Sequence, residues 1–291
     1  MNKVPSIFDR RLLALRRLRA ESMAVPGADF LFARAAEDLG ERLASVQRQF
    51  SAAAIIGPDT GQLAATLAAA APIGDLKHVA IEDGPAGERL ALEPASLDLA
   101  VSVLALQWVN DLPGVLAQIR RALRPDGLLL AVLVGGETLK ELRDSVTAAE
   151  SELRGGASPR VAPFADIRDM GGLLQRAGFA LPVADTDRLV VRYDSLFALA
   201  RDLRAMGATN VLTARDPRPL TRAIAARAAE IYAERHADAD GRVRATFELV
   251  SISGWAPDAS QPKPLKPGSA AMRLEDAIVG AAKTRNGDGT V

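Results

Sequence analysis

The chain of 291 residues has no cysteine, which removes disulfides, thiolate nucleophiles and cysteine metal sites together and suits a reducing compartment. Its two histidines, His78 and His236, lie far apart and outside any HxxxH or HxE spacing, so no metal site is expected. No G-x-S-x-G elbow is present, and a Ser-His-Asp hydrolase loses its support. An excess of charge is missing too. The 36 basic residues balance 36 acidic ones, leaving no field to draw nucleic acid or anionic lipid. Lysine is scarce, six against thirty arginines, a compositional bias to which we give no functional weight. The longest apolar runs, such as 128–134 "LLLAVLV", are far too short to span a bilayer. The start, "MNKVPSIFDRRLLALRRLRAES", is basic and amphipathic like a transit peptide. It carries Asp9 and Glu21 and runs on into the next helix, so it is read as part of a folded, cytoplasmic protein.

What is present is periodicity. Residues 7–24 and 29–48 read as amphipathic helices, with Leu12, Leu15 and Leu18 on one face of the first and Asp29 as N-cap of the second. From residue 52 the pattern changes. Apolar strands at 52–56, 77–82, 97–103 and 127–134 alternate with helices at 62–71 and 112–123, which argues for a parallel sheet covered on both faces. Further helices follow at 137–153 and 165–177. Two strand-like stretches, 182–193 and 242–256, bracket a helical insert at 195–238, the pattern of a terminal antiparallel pair with a lid-like excursion. The expected organisation is an N-terminal helical extension (1–50), an α/β core (51–194), the insert (195–238), the last strand of the core (239–256) and a Pro/Gly-rich tail (257–291).

The stretch 52–67, "AAAIIGPDTGQLAATL", outlines a strand, a tight turn and a helix, the place where α/β proteins hold nucleotides. Farther on, "LDLAVSVLALQWVNDLPGVLAQIRRALRPDGLLLAVLVGGETLKELR" (97–143) resembles class I S-adenosylmethionine-dependent methyltransferases. The likeness lies in a hydrophobic-Asp strand, L-x-L-x-W-V-x-D, an amphipathic helix and R-P-x-G before the fifth strand. Two families share these features, the malonyl-acyl-carrier-protein O-methyltransferases of biotin synthesis and the respiratory complex I assembly factors described as protein arginine hydroxylases. The second resemblance is wider. "IFDRRLL", "SPRVAPFADIRDMGGLLQRAGF", "DTDRLVVRY", "LRAMGATN" and "SISGWAPDASQPKPLKPGSA" all resemble it, in order, over nearly the whole chain.

The resemblance implies a Rossmann-like α/β fold with a seven-stranded, mostly parallel sheet whose last strand is antiparallel. It implies S-adenosylmethionine as cofactor, set against the turn of Gly57, Asp59 and Gly61. Glu82 and Asp83 would close the second strand, where a carboxylate accepts both ribose hydroxyls. Glu88 would lie near the adenine and Leu104 after the fourth strand, while Gln107, Trp108 and Gly135 would face the acceptor. The turn departs from the acidic-G-x-G-x-G pattern, and Pro58 removes one N–H donor. The segment 84–96 is also short, so either the crossover helix or the second strand is lost.

The reading is therefore a methyltransferase with a weakened cofactor site and an unknown acceptor. Methyl transfer needs alignment more than covalent help, so no catalytic residue is singled out. Two alternatives stand beside it: an arginine hydroxylase acting on a complex I subunit, and a non-catalytic assembly chaperone of the same fold. A protein partner such as a respiratory subunit fits all three. Trp255 is expected to anchor the tail or cover the acceptor cleft. Arg143, Arg160 and Arg192 are expected at the surface or holding a carboxylate, and His236 is given no chemistry.

Overall fold

The computed structural model describes residues 6–58, 61–84 and 87–262. The chain opens with helices α1 (Arg10–Met23) and α2 (Phe30–Ser45), then strand β1 (Phe50–Ile56), α3 (Gln62–Ala70) and β2 (Ile73–Val79). A pair of short strands follows, β3 (Ile81–Gly84) and β4 (Gly87–Leu90), before β5 (Leu97–Val103), α4 (Leu112–Ala122) and β6 (Leu123–Val134). The second half holds α5 (Lys140–Arg154), α6 (Ile167–Arg176), β7 (Ala180–Tyr193), α7 (Leu196–Ala205), α8 (Arg222–His236) and β8 (Val243–Trp255). Residues up to Pro257 form one compact unit. A second begins at Asp258, and its described part is a turn in which Ser260 donates to the Asp258 carboxylate. The Pro/Gly-rich tail expected over 257–291 lies outside the described residues beyond 262.

The strand order is β2-β1-β5-β6-β8-β7, parallel from β2 to β6, with β8 antiparallel to both its neighbours. The α/β fold and the antiparallel last strand are as expected. The central strands are continuous apolar runs because both faces are buried. In β6, Leu128, Leu130 and Val132 join α2, α3, α5, α7 and α8 on one side, while Leu129, Ala131 and Leu133 join α4 and α6 on the other. β1 divides in the same way, with Ala53 and Ile55 on the first face and Ala54 and Ile56 on the second.

Four expectations are corrected. Among the described residues the sheet has six strands rather than seven, because the segment after β2 folds away as the β3–β4 hairpin. Strand two survives, but it ends at Val79, so Glu82 and Asp83 lie in the hairpin and not at the sheet's carboxyl edge. Gly84 pairs with Gly87, whose φ of +119° is open to glycine, which lets the chain reverse there instead of continuing into a crossover helix. On α1 the buried leucine is Leu13, whereas Leu15 and Leu18 are 56% and 61% exposed. The helical insert is no simple lid either: Tyr232 of α8 is fully buried in the main core.

Local chemistry accounts for the ends of the elements. Asp111 accepts the Gly114 N–H at 2.9 Å as N-cap of α4, with Pro113 in the first turn, where its missing N–H costs nothing. Ser195 and Thr221 cap α7 and α8 in the same way. The loop after α5 is fastened by Glu150, whose carboxylate is 1% exposed and accepts from Ser158 N–H at 2.9 Å and Arg160 Nη2 at 2.6 Å. Burial pushes this carboxyl up, but Arg160 and Ser158 together outweigh it and hold its pKa below the ordinary value.

At the end of β1, Gly57 adopts φ +110°, and a Cβ placed on it would overlap the Ala105 Cβ. Its N–H donates to Val79 O at 3.0 Å, and its carbonyl bonds the His78 ring. This glycine is therefore required by packing between β1 and the loop after β5. Gly57→Ala is expected to cost about 2 kcal/mol in urea unfolding, and Ala105→Gly in the same chain recovers part of the loss.

Arg160→Met leaves the Glu150 charge buried and is expected to cost about 3 kcal/mol near neutral pH. A carboxyl whose folded pKa is depressed contributes stability that is complete above its unfolded value, about 4.3, and is lost as pH falls through the folded value. The gap in unfolding free energy between wild type and variant therefore narrows between about pH 5 and pH 3.

Candidate functional site

The parallel strands β1, β5 and β6 end at one edge of the sheet, the edge where doubly wound folds bind ligands. Pro58 follows β1. Leu104, at φ +47°, follows β5 and leads into a single 3-10 turn, Leu106–Trp108. Val134 ends β6, and Leu139 follows at φ +55°. Over this edge lies a cavity of about 520 Å³ whose floor includes Pro58, Leu104, Gln107, Trp108, Val134 and Leu139. Its cover comes from α1, the connector to α2, Phe164, Phe247 and the residues Leu203–Ala208 at the end of α7. Most of the lining is apolar. Arg17, Glu21, Asp29 and Gln107 are its charged and amide members.

The cover is held by specific bonds. Asn110 Oδ1 accepts the N–H groups of Ile7 and Phe8, each at 2.8 Å, and its Nδ2 donates to Phe8 O at 3.2 Å. This strap places the Phe8 ring edge-to-face on Trp108, with centroids 5.6 Å apart, while Phe164 meets Trp108 in the same manner at 5.7 Å. Asp9 then caps α1 by accepting the Leu12 N–H, and Arg10 donates to Trp108 O, to Ile81 O and to the Asp83 carboxylate. The "IFDR" segment thus ties the N-terminal extension to the sheet edge and to the hairpin.

Among the polar side chains of the lining, Glu21 and Asp29 make no hydrogen bond or ion pair among the described residues, and Gln107 and Arg17 each keep hydrogen-bonding capacity unused. Gln107 is 8% exposed. Its Nε2 donates to Leu104 O at 3.0 Å, while its Oε1 is buried with nothing to accept from. Arg17 makes no hydrogen bond or ion pair among the described residues, and its pKa is lowered by burial and then by Arg10, with Glu21 opposing. The guanidinium stays charged regardless.

The expected site residues divide. Leu104, Gln107 and Trp108 are brought together on the cavity floor. Gly57 lies beside it but is packed against Ala105, and Gly61, at φ +80°, has open space where a Cβ would stand. Asp59 is outside the described residues. Glu82 is exposed in β3. Asp83 is engaged with Arg10, and Glu88 spends its carboxylate on the Asn110 and Asp111 N–H groups at 2.6 and 3.1 Å, so neither faces the cavity. Gly135 is a packing glycine, since a Cβ there would strike the Glu248 carboxylate. Trp255 pairs with Leu128 at the opposite edge of the sheet, beneath the Arg48 guanidinium, and cannot cover the cleft. Arg143, Arg160 and Arg192 are engaged with Gly136 and Thr138 carbonyls, with Glu150, and with Asp238 and Asp240. Among the described residues no group of three or more His, Asp or Glu could hold a metal.

The cover of the cavity was not picked out from the sequence. Arg17 is one of several arginines on an amphipathic helix, Glu21 carries no motif, and Asp29, expected as an N-cap, makes no side-chain cap bond. The usable signal lay in the family-like segments "IFDRRLL", "SPRVAPF" and "LRAMGATN", because Phe8, Phe164 and Leu203–Ala208 all come to this one place.

The cofactor of class I methyltransferases, S-adenosylmethionine, can be tested against this lining. The volume falls in the range of small-molecule pockets, the cavity starts directly after the turn of β1, and the orphaned Gln107 Oε1 is an acceptor in want of a donor. The lining fits the group.

Comparison with known proteins agrees. Residues 39–131 match the model of a methyltransferase domain. Malonyl-[acyl-carrier protein] O-methyltransferase of Laribacter hongkongensis is 41% identical over 181 residues, 62% of this chain and 58% of that protein. The YcgJ protein of Bacillus subtilis has the same fold, with a TM-score of 0.50 at 12% identity over 76% of this chain and 98% of that one. Relatives named arginine-hydroxylase NDUFAF5, mitochondrial, match as well. The chain spans only 42% and 59% of the length of those from Dictyostelium discoideum and Danio rerio. The one from Rattus norvegicus is 35% identical over 288 residues, 93% of this chain and 83% of the relative. An alignment of that length and identity, on a methyltransferase sheet, means that the chain belongs to the arginine-hydroxylase NDUFAF5 family of class I S-adenosylmethionine-dependent methyltransferase folds.

Proposed function

We propose that the chain is a methyltransferase acting on a protein acceptor, with the cavity over β1, β5 and β6 as its cofactor and acceptor site. The observation that carries this is the cavity itself. It is mostly apolar and built at the ligand-binding edge of the fold, with Gln107 in its floor and that side chain's Oε1 buried without a donor. When bound, the cofactor supplies a methyl group already activated on a positively charged sulfur.

The chain's own residues would then orient and exclude water. Leu104 and Pro58 border the cofactor beside Gly61, Gln107 accepts from a ligand N–H or O–H, and Trp108 is fixed by Phe8 and Phe164 as an apolar wall. Elsewhere in the lining, Glu21 and Asp29 offer carboxylates to a cationic acceptor. That chemistry suits a side chain such as arginine on a respiratory complex I subunit, the class of partner implied by the family, and hydroxylation of such a residue is the alternative outcome. Asp59 remains the candidate for the ribose, since Glu82 lies in the hairpin and not in the cavity lining. A cytoplasmic location belongs to this reading as well.

A non-catalytic assembly role is favoured by one observation: Asp83 and Glu88, two of the acids nearest the expected ribose and adenine positions, are engaged with Arg10 and with the backbone of residues 110 and 111. Calorimetry with S-adenosylmethionine separates the two readings. Binding on the order of 10 μM, weakened about tenfold by Gln107→Leu, supports a cofactor-using enzyme. No heat up to millimolar ligand leaves the assembly role. Gly57→Leu is unsuitable as a control, because its side chain meets Ala105 whether or not a cofactor binds.

A further inference from the structure

The amino-acid end of the cofactor needs a group to take its carboxylate, and the first two residues of the glycine turn offer none. The Gly57 N–H is committed to Val79 O, its carbonyl to His78, and Pro58 has no N–H. The opposite wall offers the reverse situation. Arg17 of α1 lines the same cavity as Gln107 and makes no hydrogen bond or ion pair among the described residues; the acid that acts on its charge is Glu21, four residues along the helix. Glu21, one turn along and also lining the cavity, makes no ion pair with it. With only the unbonded Glu21 carboxylate to offset it, the Arg17 guanidinium keeps its donors available to an anionic group entering the cavity.

Arg17 is also held in position. Gly207, at φ +69°, lets the turn after α7 press on α1 so closely that a Cβ there would lie 3.3 Å from the Arg17 Cα and 3.4 Å from the Ala20 Cβ. The helix backbone that carries the cation is therefore fixed by the same "LRAMGATN" segment that closes the cavity.

We infer that Arg17 anchors the α-carboxylate of the cofactor, so that the N-terminal helical extension, and not the glycine turn, reads the amino-acid end of the ligand. This rests on the cofactor reading above. A planar guanidinium suits a carboxylate because two parallel N–H···O bonds form at once.

The test compares S-adenosylhomocysteine with 5′-methylthioadenosine, which lacks the amino-acid end, by calorimetry on the full chain. Arg17→Met is expected to weaken S-adenosylhomocysteine at least about tenfold while changing methylthioadenosine less than about twofold, with Arg17→Lys in between. Without ligand, Arg17→Met should melt within about 3 °C of wild type, which shows that the helix is still seated. Methylthioadenosine binding with S-adenosylhomocysteine unaffected by Arg17→Met overturns the inference alone and points to a carboxylate on the acceptor. An equal loss for both ligands overturns it as well. Wild type binding neither ligand overturns the cofactor reading and this inference together.

Discussion

The side-chain amide of Asn110 holds the site together. It accepts two successive backbone N–H groups of the N-terminal strap and donates to a carbonyl of the same strap, which is how one residue fixes the course of a whole segment. Phe8 then lies on Trp108, α1 starts from the Asp9 cap, and Arg10 reaches the hairpin. Glu88 in turn holds the backbone of Asn110 and Asp111. A carboxylate that the family pattern would place near the adenine here serves the scaffold around the cavity instead.

Much of the fold was legible because the core strands are buried on both faces, and the sequence shows that as unbroken apolar runs bounded by turn chemistry such as Arg124-Pro125-Asp126-Gly127. The hairpin at β3–β4 was not legible. "HVAIEDGPAGERL" has the residues of a strand end followed by a helix start, and only pairing across Gly84 and Gly87 decides otherwise. The face of α1 was hidden for a related reason. Its leucines and arginines are spread around the helix, so a helical period cannot say that Leu13 and Arg17 turn inward while Leu15 and Leu18 stay out.

In the site, the floor was readable and the cover was not. Leu104, Gln107 and Trp108 follow a strand whose position in the sheet is set by local pattern, so their place at the edge could be anticipated. Arg17, Glu21 and Asp29 arrive by long-range packing, through bonds that join residue 8 to residue 110 and residue 9 to residue 215. Such contacts leave no periodic trace in sequence. The loss of the crossover also leaves β2 as an edge strand, and Asp75, Lys77 and His78 on it are the polar residues that discourage further strand pairing.

Because α1 is a wall of the cavity and not merely a neighbour of it, the pocket exists only in molecules whose extension is seated. The free energy that seats the helix, through the strap at one end and the Gly207 turn at the other, is thereby part of every measured affinity, and any fraction of molecules with the helix undocked lowers apparent binding in proportion. Occupancy of the cavity and seating of α1 become a single equilibrium, so that whatever shifts the helix also shifts the affinity.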